Sequence, residues 1–288
     1  MATRSSPLAL AQARSVARAI GGAELVEIET DSEPGGRERS VRGVEQAVLE
    51  GRAGVGVHSA GDLPGRMTAG LAIAAVPRRE DAREAWVGPG SSLGEVPPAA
   101  RVGLVGLRRR SQLLALRPDL RTVELRGDVD SRIRKLREGE VDGLVLAMAG
   151  LKRLGREEEA SFTFGLDQML PCAGQGTLVV QSRSGEQGAD GLPELDNLES
   201  QRRLLAERAA AFALEADRSG PVGIHARIDG DRLTVDGWVG LADGSQWIRD
   251  AVEGSASQPE AAGRELAKRM TSAGARELLD LAGGEIDT

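Results

Sequence analysis

Strand-length apolar segments alternate with helix-length segments along the first 182 residues, and this alternation narrows the possible folds more than any other feature. The first helix is predicted to begin with Ser6 as N-cap and Pro7 at the first helical position. It should end at Gly21-Gly22. A second helix is predicted over residues 41–49. Strands are predicted at residues 25–28, 54–58, 71–76 and 177–182. The pattern indicates an α/β class with mostly parallel sheets, and we expect the last strand to return to the first domain.

The pattern changes after a polar segment, residues 184–195, which predicts a linker. A long helix is predicted over residues 198–214. Three strands should then follow at residues 222–228, 233–239 and 246–252, with Asp-Gly pairs at the turns, which are strong hairpin signals. Helices are predicted at residues 259–272 and 275–281. This region therefore predicts a separate small α+β domain with a meander sheet.

Composition excludes several classes of function. The chain has 288 residues, a net charge of −7 and a pI of about 5.2, which argue against general nucleic-acid binding. No apolar run is long enough to span a membrane, and the N-terminus lacks the pattern of a signal peptide. Cys172 is the one cysteine, which excludes an internal disulfide and fits a cytosolic protein. With two histidines, His58 and His225, a histidine-rich metal site is excluded.

Nine arginines lie within residues 101–134, around two predicted strand-to-helix turns. The first turn precedes a helix that begins near Leu107, and the second, at residues 126–128, precedes a helix over residues 129–138. In an open α/β sheet such turns lie at the carboxyl ends of the strands, where ligands bind. Helix N-termini and guanidinium groups both favour anions there. One interpretation is a pocket for a small polyanion. The other is that arginine is simply the default cation, since the chain has 34 arginines and three lysines.

Three residues could carry chemistry, and each has a second interpretation. Asp62 follows a buried strand and could stabilise a positive charge in a transition state, or it could be a solvated turn residue. His58 fits a packed strand-end residue better than a base, because no partner is identifiable from spacing. Cys172 could be a nucleophile or an inert thiol.

The chain resembles the porphobilinogen deaminase (hydroxymethylbilane synthase) family along nearly its whole length. The resemblance is carried by ordered motifs: TRSSPLAL at 3–10, HSAGDLP at 58–64, LRRRSQL at 107–113, LRGDVDSR at 125–132, AGLKRLG at 149–155, MLP at 169–171 and GQG at 174–176. It implies three domains. Two α/β domains similar to periplasmic binding proteins should flank a cleft: residues 1–77 plus 176–195, and residues 82–170. A small C-terminal α+β domain, residues 198–288, should carry the family's cofactor loop.

The resemblance also implies an activity and a set of site residues. Family members remove ammonia from porphobilinogen and join four units on a dipyrromethane cofactor held by a cysteine of the third domain. Asp62 matches the catalytic aspartate. The residues that match substrate-binding positions are Arg4, Ser6, Arg108, Arg109, Arg126, Arg132, Arg153 and Gln175. The expected partner is a small polycarboxylate pyrrole, and the expected protein is a cytoplasmic monomer that contacts neither nucleic acid nor membrane.

The sequence also departs from the family pattern. Arg218, in LEADRSGPVG at 214–223, stands at the position of the cofactor cysteine, so no covalent dipyrromethane is expected. Gly61 replaces the usual lysine before the catalytic aspartate. Residues 104–106 replace a hydroxyl-bearing Thr-Ser-Ser, and the lid at residues 31–42 is shortened. Two functions follow: a transferase that works without a covalent primer, or a weakly catalytic or non-catalytic protein that holds pyrroles.

Overall fold

The computed structural model describes residues 1–29, 36–64, 67–186, 188–216 and 220–284. The strands of this part of the chain are β1 Ala2–Arg4, β2 Val26–Ile28, β3 Val55–Ser59, β4 Leu71–Ala75, β5 Glu84–Val87, β6 Arg101–Leu104, β7 Arg121–Glu124, β8 Gly143–Ala147, β9 Phe162–Thr163, β10 Leu178–Arg183, β11 Val222–Asp229, β12 Arg232–Gly240 and β13 Trp247–Ser255. The helices are α1 Pro7–Ala19, α2 Gly36–Leu49, α3 Leu107–Leu116, α4 Val129–Arg137, α5 Met148–Arg153, α6 Leu192–Leu195, α7 Leu198–Ala213, α8 Pro259–Ser272 and α9 Ala275–Gly284.

The chain divides into two compact units. Unit 1 comprises Met1–Glu80 and Gly174–Gln201, and unit 2 comprises Asp81–Ala173 and Arg202–Thr288. The α/β class is confirmed in both units. The exact bounds of the three predicted domains stay a prediction.

Unit 1 contains a five-stranded sheet in the order β2-β1-β3-β10-β4. Met1 packs in the same cluster as α1, whereas Ala2 packs in the same cluster as α2. Because successive strand residues point to opposite faces, the two helices cover opposite faces of the sheet. Ser6 caps α1 as predicted, since its hydroxyl accepts a hydrogen bond from the Ala9 N–H, and Pro7 opens the helix.

The prediction of mostly parallel sheets is confirmed, because four of the five strands in each five-stranded sheet run in one direction and one strand, β10 in unit 1 and β5 in unit 2, runs against them. In unit 1, β1 pairs in parallel with β2 and β3, whereas β10 is antiparallel to β3 and β4. β10 does return to the first sheet, as predicted. Because it arrives after a long excursion of the chain, it is not held to the parallel direction of a βαβ crossover. The predicted linker over residues 184–195 contains α6, whose Leu192 is fully buried in the core of unit 1.

Unit 2 contains two sheets. The five-stranded sheet has the order β7-β6-β8-β5-β9, with β6 parallel to β7 and β8, and β5 antiparallel to β8 and β9. The three-stranded sheet β11-β12-β13 is the predicted antiparallel meander, and its turns contain Gly230 and Gly244, both with positive φ. Helices α7, α8 and α9 supply residues to the core of this small sheet.

The two sheets of unit 2 are joined through α3. The Ser111 hydroxyl donates to the Leu241 carbonyl, at the turn after β12. Gly244 lies so close to the C-terminal half of α3 that a Cβ atom there would overlap the Ala115 backbone nitrogen. The Ile224 N–H donates to the Pro171 carbonyl at 2.8 Å. These contacts fasten the meander sheet to the helix that carries the first arginine group.

Candidate functional site

In unit 1, Asp62 and Arg4 form an ion pair at the carboxyl ends of two neighbouring strands. Arg4 is the last residue of β1, and Asp62 ends the 3₁₀ turn Ala60–Asp62 directly after β3. The Arg4 Nη2 lies 2.5 Å from the Asp62 Oδ2, and both side chains are largely buried. Because β1 and β3 are parallel, their ends meet at one edge of the sheet. Asp62 is therefore a buried carboxylate held by a cation, which corrects the interpretation as a solvated turn residue.

The GQG motif at residues 174–176 packs against the turn that carries Asp62. The Ala60 N–H donates to the Thr177 carbonyl at 2.9 Å. Gly174 has a φ of +76°, and a Cβ there would lie 2.9 Å from the Ala60 Cβ. Gln175 is buried, and its backbone carbonyl accepts a hydrogen bond from the Arg79 Nε at 2.8 Å. Gln175 and the Asp62 turn are thus parts of one packed loop pair.

His58 is a buried neighbour of the Arg4–Asp62 pair. It lies on β3 and its side chain is packed away from solvent. Burial, and then the Arg4 guanidinium, lower the pKa of His58 to about 4, although Asp62 and a hydrogen bond with Gln181 act in the opposite direction. The imidazole is therefore neutral at neutral pH. This agrees with a packed strand-end residue and gives the Asp62 environment a pH-sensitive neighbour.

In unit 2, Arg108 and Arg109 share one buried carboxylate. Both lie in the first turn of α3, directly after β6, and Glu84 is the first residue of β5. The Arg108 Nη2 is 2.5 Å from the Glu84 Oε1, and the Arg109 Nη2 is 2.9 Å from its Oε2. Burial raises the pKa of Glu84, but the two guanidinium groups outweigh it and hold the pKa at about 2. Sequence reasoning missed Glu84. Its one signal was a charged residue at the head of an otherwise apolar strand, EAWV.

The MLP motif is tied to the same helix. The Arg108 Nη1 donates to the Leu170 carbonyl at 2.7 Å. The Gln112 amide donates to that same carbonyl at 2.9 Å and accepts from the Leu170 N–H at 2.7 Å. Leu170 thus has both of its backbone polar groups satisfied by α3 side chains. The position of Arg108 is set by Glu84 on one side and by Leu170 on the other.

The other three predicted arginines follow neighbouring strands of the same sheet. Arg126 follows β7 and is exposed, 3.2 Å from a Glu124 carboxylate oxygen. Arg132 lies in the first turn of α4, which Asp128 caps, and Arg153 ends α5, which directly follows β8. Strands β7, β6 and β8 are adjacent and parallel, so the segments after them lie at one edge of the sheet. The predicted arginines of unit 2 therefore lie on the segments that follow three adjacent parallel strands, with Arg153 at the far end of its helix.

Of the remaining predicted residues, those that the structure describes lie outside the two ion-pair clusters. Ser6 serves as the N-cap of α1, two residues after Arg4. Arg218 and residues 31–35 of the predicted lid lie outside the described residues, whereas residues 36–42 of that segment belong to α2. Cys172 is half-buried in the segment that follows Leu170. Among the described residues, no group of three or more His, Cys, Asp or Glu could hold a metal ion. No helix of that part of the chain is both long and apolar enough to cross a bilayer.

Comparison with known proteins gives consistent matches. Residues 1–190 match the family model of the porphobilinogen deaminase dipyrromethane cofactor binding domain, and residues 201–272 match that of the porphobilinogen deaminase C-terminal domain. The porphobilinogen deaminase of Campylobacter concisus is 40% identical over 248 residues, covering 85% of this chain and 80% of the relative. That of Roseiflexus castenholzii is 43% identical over 82% of this chain and 78% of the relative. That of Syntrophus aciditrophicus is 38% identical over 96% of each chain. Among solved structures, immunogenic lipoprotein A from Vibrio vulnificus superposes with a TM-score of 0.42 at 12% identity, covering 69% of this chain and 96% of that one.

Proposed function

The chain belongs to the porphobilinogen deaminase family, and from this premise we propose that it deaminates porphobilinogen and joins pyrrole units into a linear oligopyrrole without a covalently attached primer. The observation that carries the proposal is the buried Arg4–Asp62 pair at the carboxyl edge of the first sheet. Loss of ammonia breaks the bond between the methylene carbon and the nitrogen, and leaves a cationic methylene-pyrrolenine. The Asp62 carboxylate stabilises that cation. A pyrrole carbon of the acceptor then bonds to the methylene carbon and loses its proton.

The arginines suit the charge of this substrate. Each porphobilinogen carries two carboxylates, so a growing oligopyrrole accumulates negative charge with every unit. Arg108, Arg109, Arg126, Arg132 and Arg153 lie on segments that follow three adjacent parallel strands. Guanidinium groups bind carboxylates through paired, charge-assisted hydrogen bonds. We therefore assign these arginines, with Arg4, to the acetate and propionate side chains of the substrate.

The side chains available do not fit a thioether-linked dipyrromethane. The family position for attachment is Arg218, and a guanidinium cannot form a thioether. The one thiol, Cys172, belongs to a different segment, two residues after the Leu170 that Arg108 and Gln112 contact. The first acceptor is therefore a free pyrrole or oligopyrrole held by charge and packing. Intact-mass spectrometry of protein made in a porphobilinogen-producing host should give the mass of the bare chain. An added dipyrrole mass, especially on Cys172, would contradict this.

Ammonia release separates the transferase from a pyrrole carrier. Purified protein is incubated with saturating porphobilinogen, with and without a soluble pyrrole acceptor, and ammonia and product mass are measured. Asp62→Asn removes the charge but keeps an acceptor, so turnover should fall by roughly two orders of magnitude or more, while substrate binding changes much less. Asp62→Glu displaces the charge and should give an intermediate loss. Asp250→Asn, which removes an ion pair between Asp250 on β13 and Arg269 on α8, is the control and should leave turnover unchanged.

Two outcomes would overturn the assignment. Turnover that survives Asp62→Asn intact would remove Asp62 from the chemistry. A wild-type protein that binds porphobilinogen but releases no ammonia with any acceptor would be a carrier.

A further inference from the structure

Glu84 is an ionised side chain in a place where a lone charge is costly. Glu84 is the first residue of β5 and is fully buried. Its backbone carbonyl accepts a hydrogen bond from the Phe164 N–H at 2.9 Å. Burying a carboxylate without partners costs several kcal/mol, so such groups persist where other charges neutralise them. Here the neutralising charges are Arg108 and Arg109, each on a separate carboxylate oxygen.

The contact constrains two side chains that helix geometry would otherwise separate. Consecutive residues of an α-helix project about 100° apart, so adjacent arginines do not normally face the same point. A carboxylate bridging both guanidinium groups holds them at a set distance and angle. Arg108 is further held by the Leu170 carbonyl, whereas 13% of the Arg109 side chain is exposed. A guanidinium has five N–H donors, and the ion pair with Glu84 engages one Nη2 atom of Arg109. Arg109 therefore keeps capacity for a second carboxylate.

The charge balance of the cluster also suits an anionic ligand. Two guanidinium groups and one carboxylate leave one positive charge. The pKa of Glu84, at about 2, keeps the carboxylate ionised at every pH where an enzyme of this kind is assayed. Without Glu84, two buried cations would lie side by side and repel each other.

We infer that Glu84 is a positioning residue, whose buried carboxylate orients Arg108 and Arg109 toward a carboxylate of porphobilinogen. This inference rests on the proposed function, because it names porphobilinogen as the ligand of the arginine pair. Glu84 itself does not touch substrate and acts only through the two guanidinium groups. It should therefore govern substrate affinity and leave the chemical step largely alone.

Glu84→Gln tests the inference, with kinetics and porphobilinogen calorimetry on the full chain. The amide keeps the shape but removes the charge that orients the arginines, so Kd and KM should rise about tenfold or more while kcat changes less than about threefold. Glu84→Asp keeps the charge and should restore part of the affinity. Glu207→Gln is the control, since Glu207 is equally buried in unit 2 and accepts a hydrogen bond from the Ala226 N–H. It should change thermal stability without changing Kd.

A double-substitution cycle shows whether Glu84 acts through the arginines. In an Arg109→Leu background, adding Glu84→Gln should have a clearly smaller effect on Kd than it has in the wild type, because much of the orientation it provides is already lost. An effect of the same size in both backgrounds would overturn the inference. So would an unchanged Kd in Glu84→Gln. If Glu84→Gln does not fold, Glu84→Asp decides, because an unchanged Kd there would equally overturn it.

The proposed function can fail separately from this inference. Wild-type protein that binds porphobilinogen but releases no ammonia would refute the transferase, and calorimetry on the Glu84 variants would still test the positioning role. Normal wild-type turnover with an unchanged Kd and KM in Glu84→Gln would refute the positioning role alone.

Discussion

Replacing His58 should reduce the stability that unit 1 loses when the pH is lowered. His58 is buried on β3 beside Arg4 and Asp62, and burial and the arginine lower its pKa to about 4 from an ordinary value of 6.5. The folded state therefore keeps the imidazole neutral, whereas the unfolded chain protonates it below pH 6.5. Since the unfolded state binds the additional proton, the free energy of unfolding falls as the pH is lowered from 6.5 to about 4.

The size of the effect follows from the two pKa values. At about 1.36 kcal/mol per pKa unit, a pKa lowered from 6.5 to about 4 costs about 3 kcal/mol of stability by pH 4, of which about 2 kcal/mol is lost by pH 5. His58→Gln cannot titrate, but it keeps a polar side chain that can face Gln181. The variant should therefore be less stable than wild type at pH 8 and should lose less stability on acidification.

Urea unfolding at pH 8, 7, 6 and 5 measures this difference. The three tryptophans, Trp86, Trp238 and Trp247, all lie in unit 2, so circular dichroism should accompany fluorescence to follow unit 1. His225 and the carboxylates remote from His58 are common to both proteins, so their titration cancels in the comparison. Parallel loss of stability in wild type and His58→Gln between pH 7 and pH 5 would refute the reasoning.

Two further substitutions test helix α3, which carries Arg108 and Arg109, and the Gly244 turn that packs against it. Arg109→Leu removes a charge-assisted contact worth roughly 1.5–3 kcal/mol, so porphobilinogen binding measured by calorimetry should weaken by about one to two orders of magnitude. Arg101→Leu, which breaks an exposed pair with Asp142 at the opposite end of β6, should leave affinity unchanged, and equal losses in both variants would count against the site. Gly244→Ala forces a Cβ into the α3 backbone, so its melting temperature should drop further than that of Gly230→Ala, whose Cβ meets nothing within 4 Å. Equal melting temperatures for the two alanine variants would mean that the Gly244 turn is not in close contact with the α3 backbone.

The candidate site was only half visible in the sequence. Asp62 and the arginine group of residues 101–134 could be singled out because they follow predicted strands, but only the resemblance to the family assigned them to a site and added Arg4 and Arg153. Glu84 could not be singled out, because it is separated from Arg108 by 24 positions and nothing in its own segment indicates a partner. The contact of Arg4 with Asp62 spans 58 positions and was likewise not predicted from the residues. Both carboxylates meet their cations only after the strands are ordered in a sheet, because sheet order brings together segments that are distant in the chain.

Local chemistry determined what could be predicted from the sequence alone. A serine that caps a helix, a proline at the first helical position, and Asp-Gly at a hairpin turn act within four residues of themselves, so α1 and the meander were predicted correctly. The tertiary structure alone decided the direction of β10. Its sequence, LVVQSR, suits a parallel or an antiparallel neighbour equally well. The end from which the chain enters the sheet selects between them, and no residue of the strand encodes that.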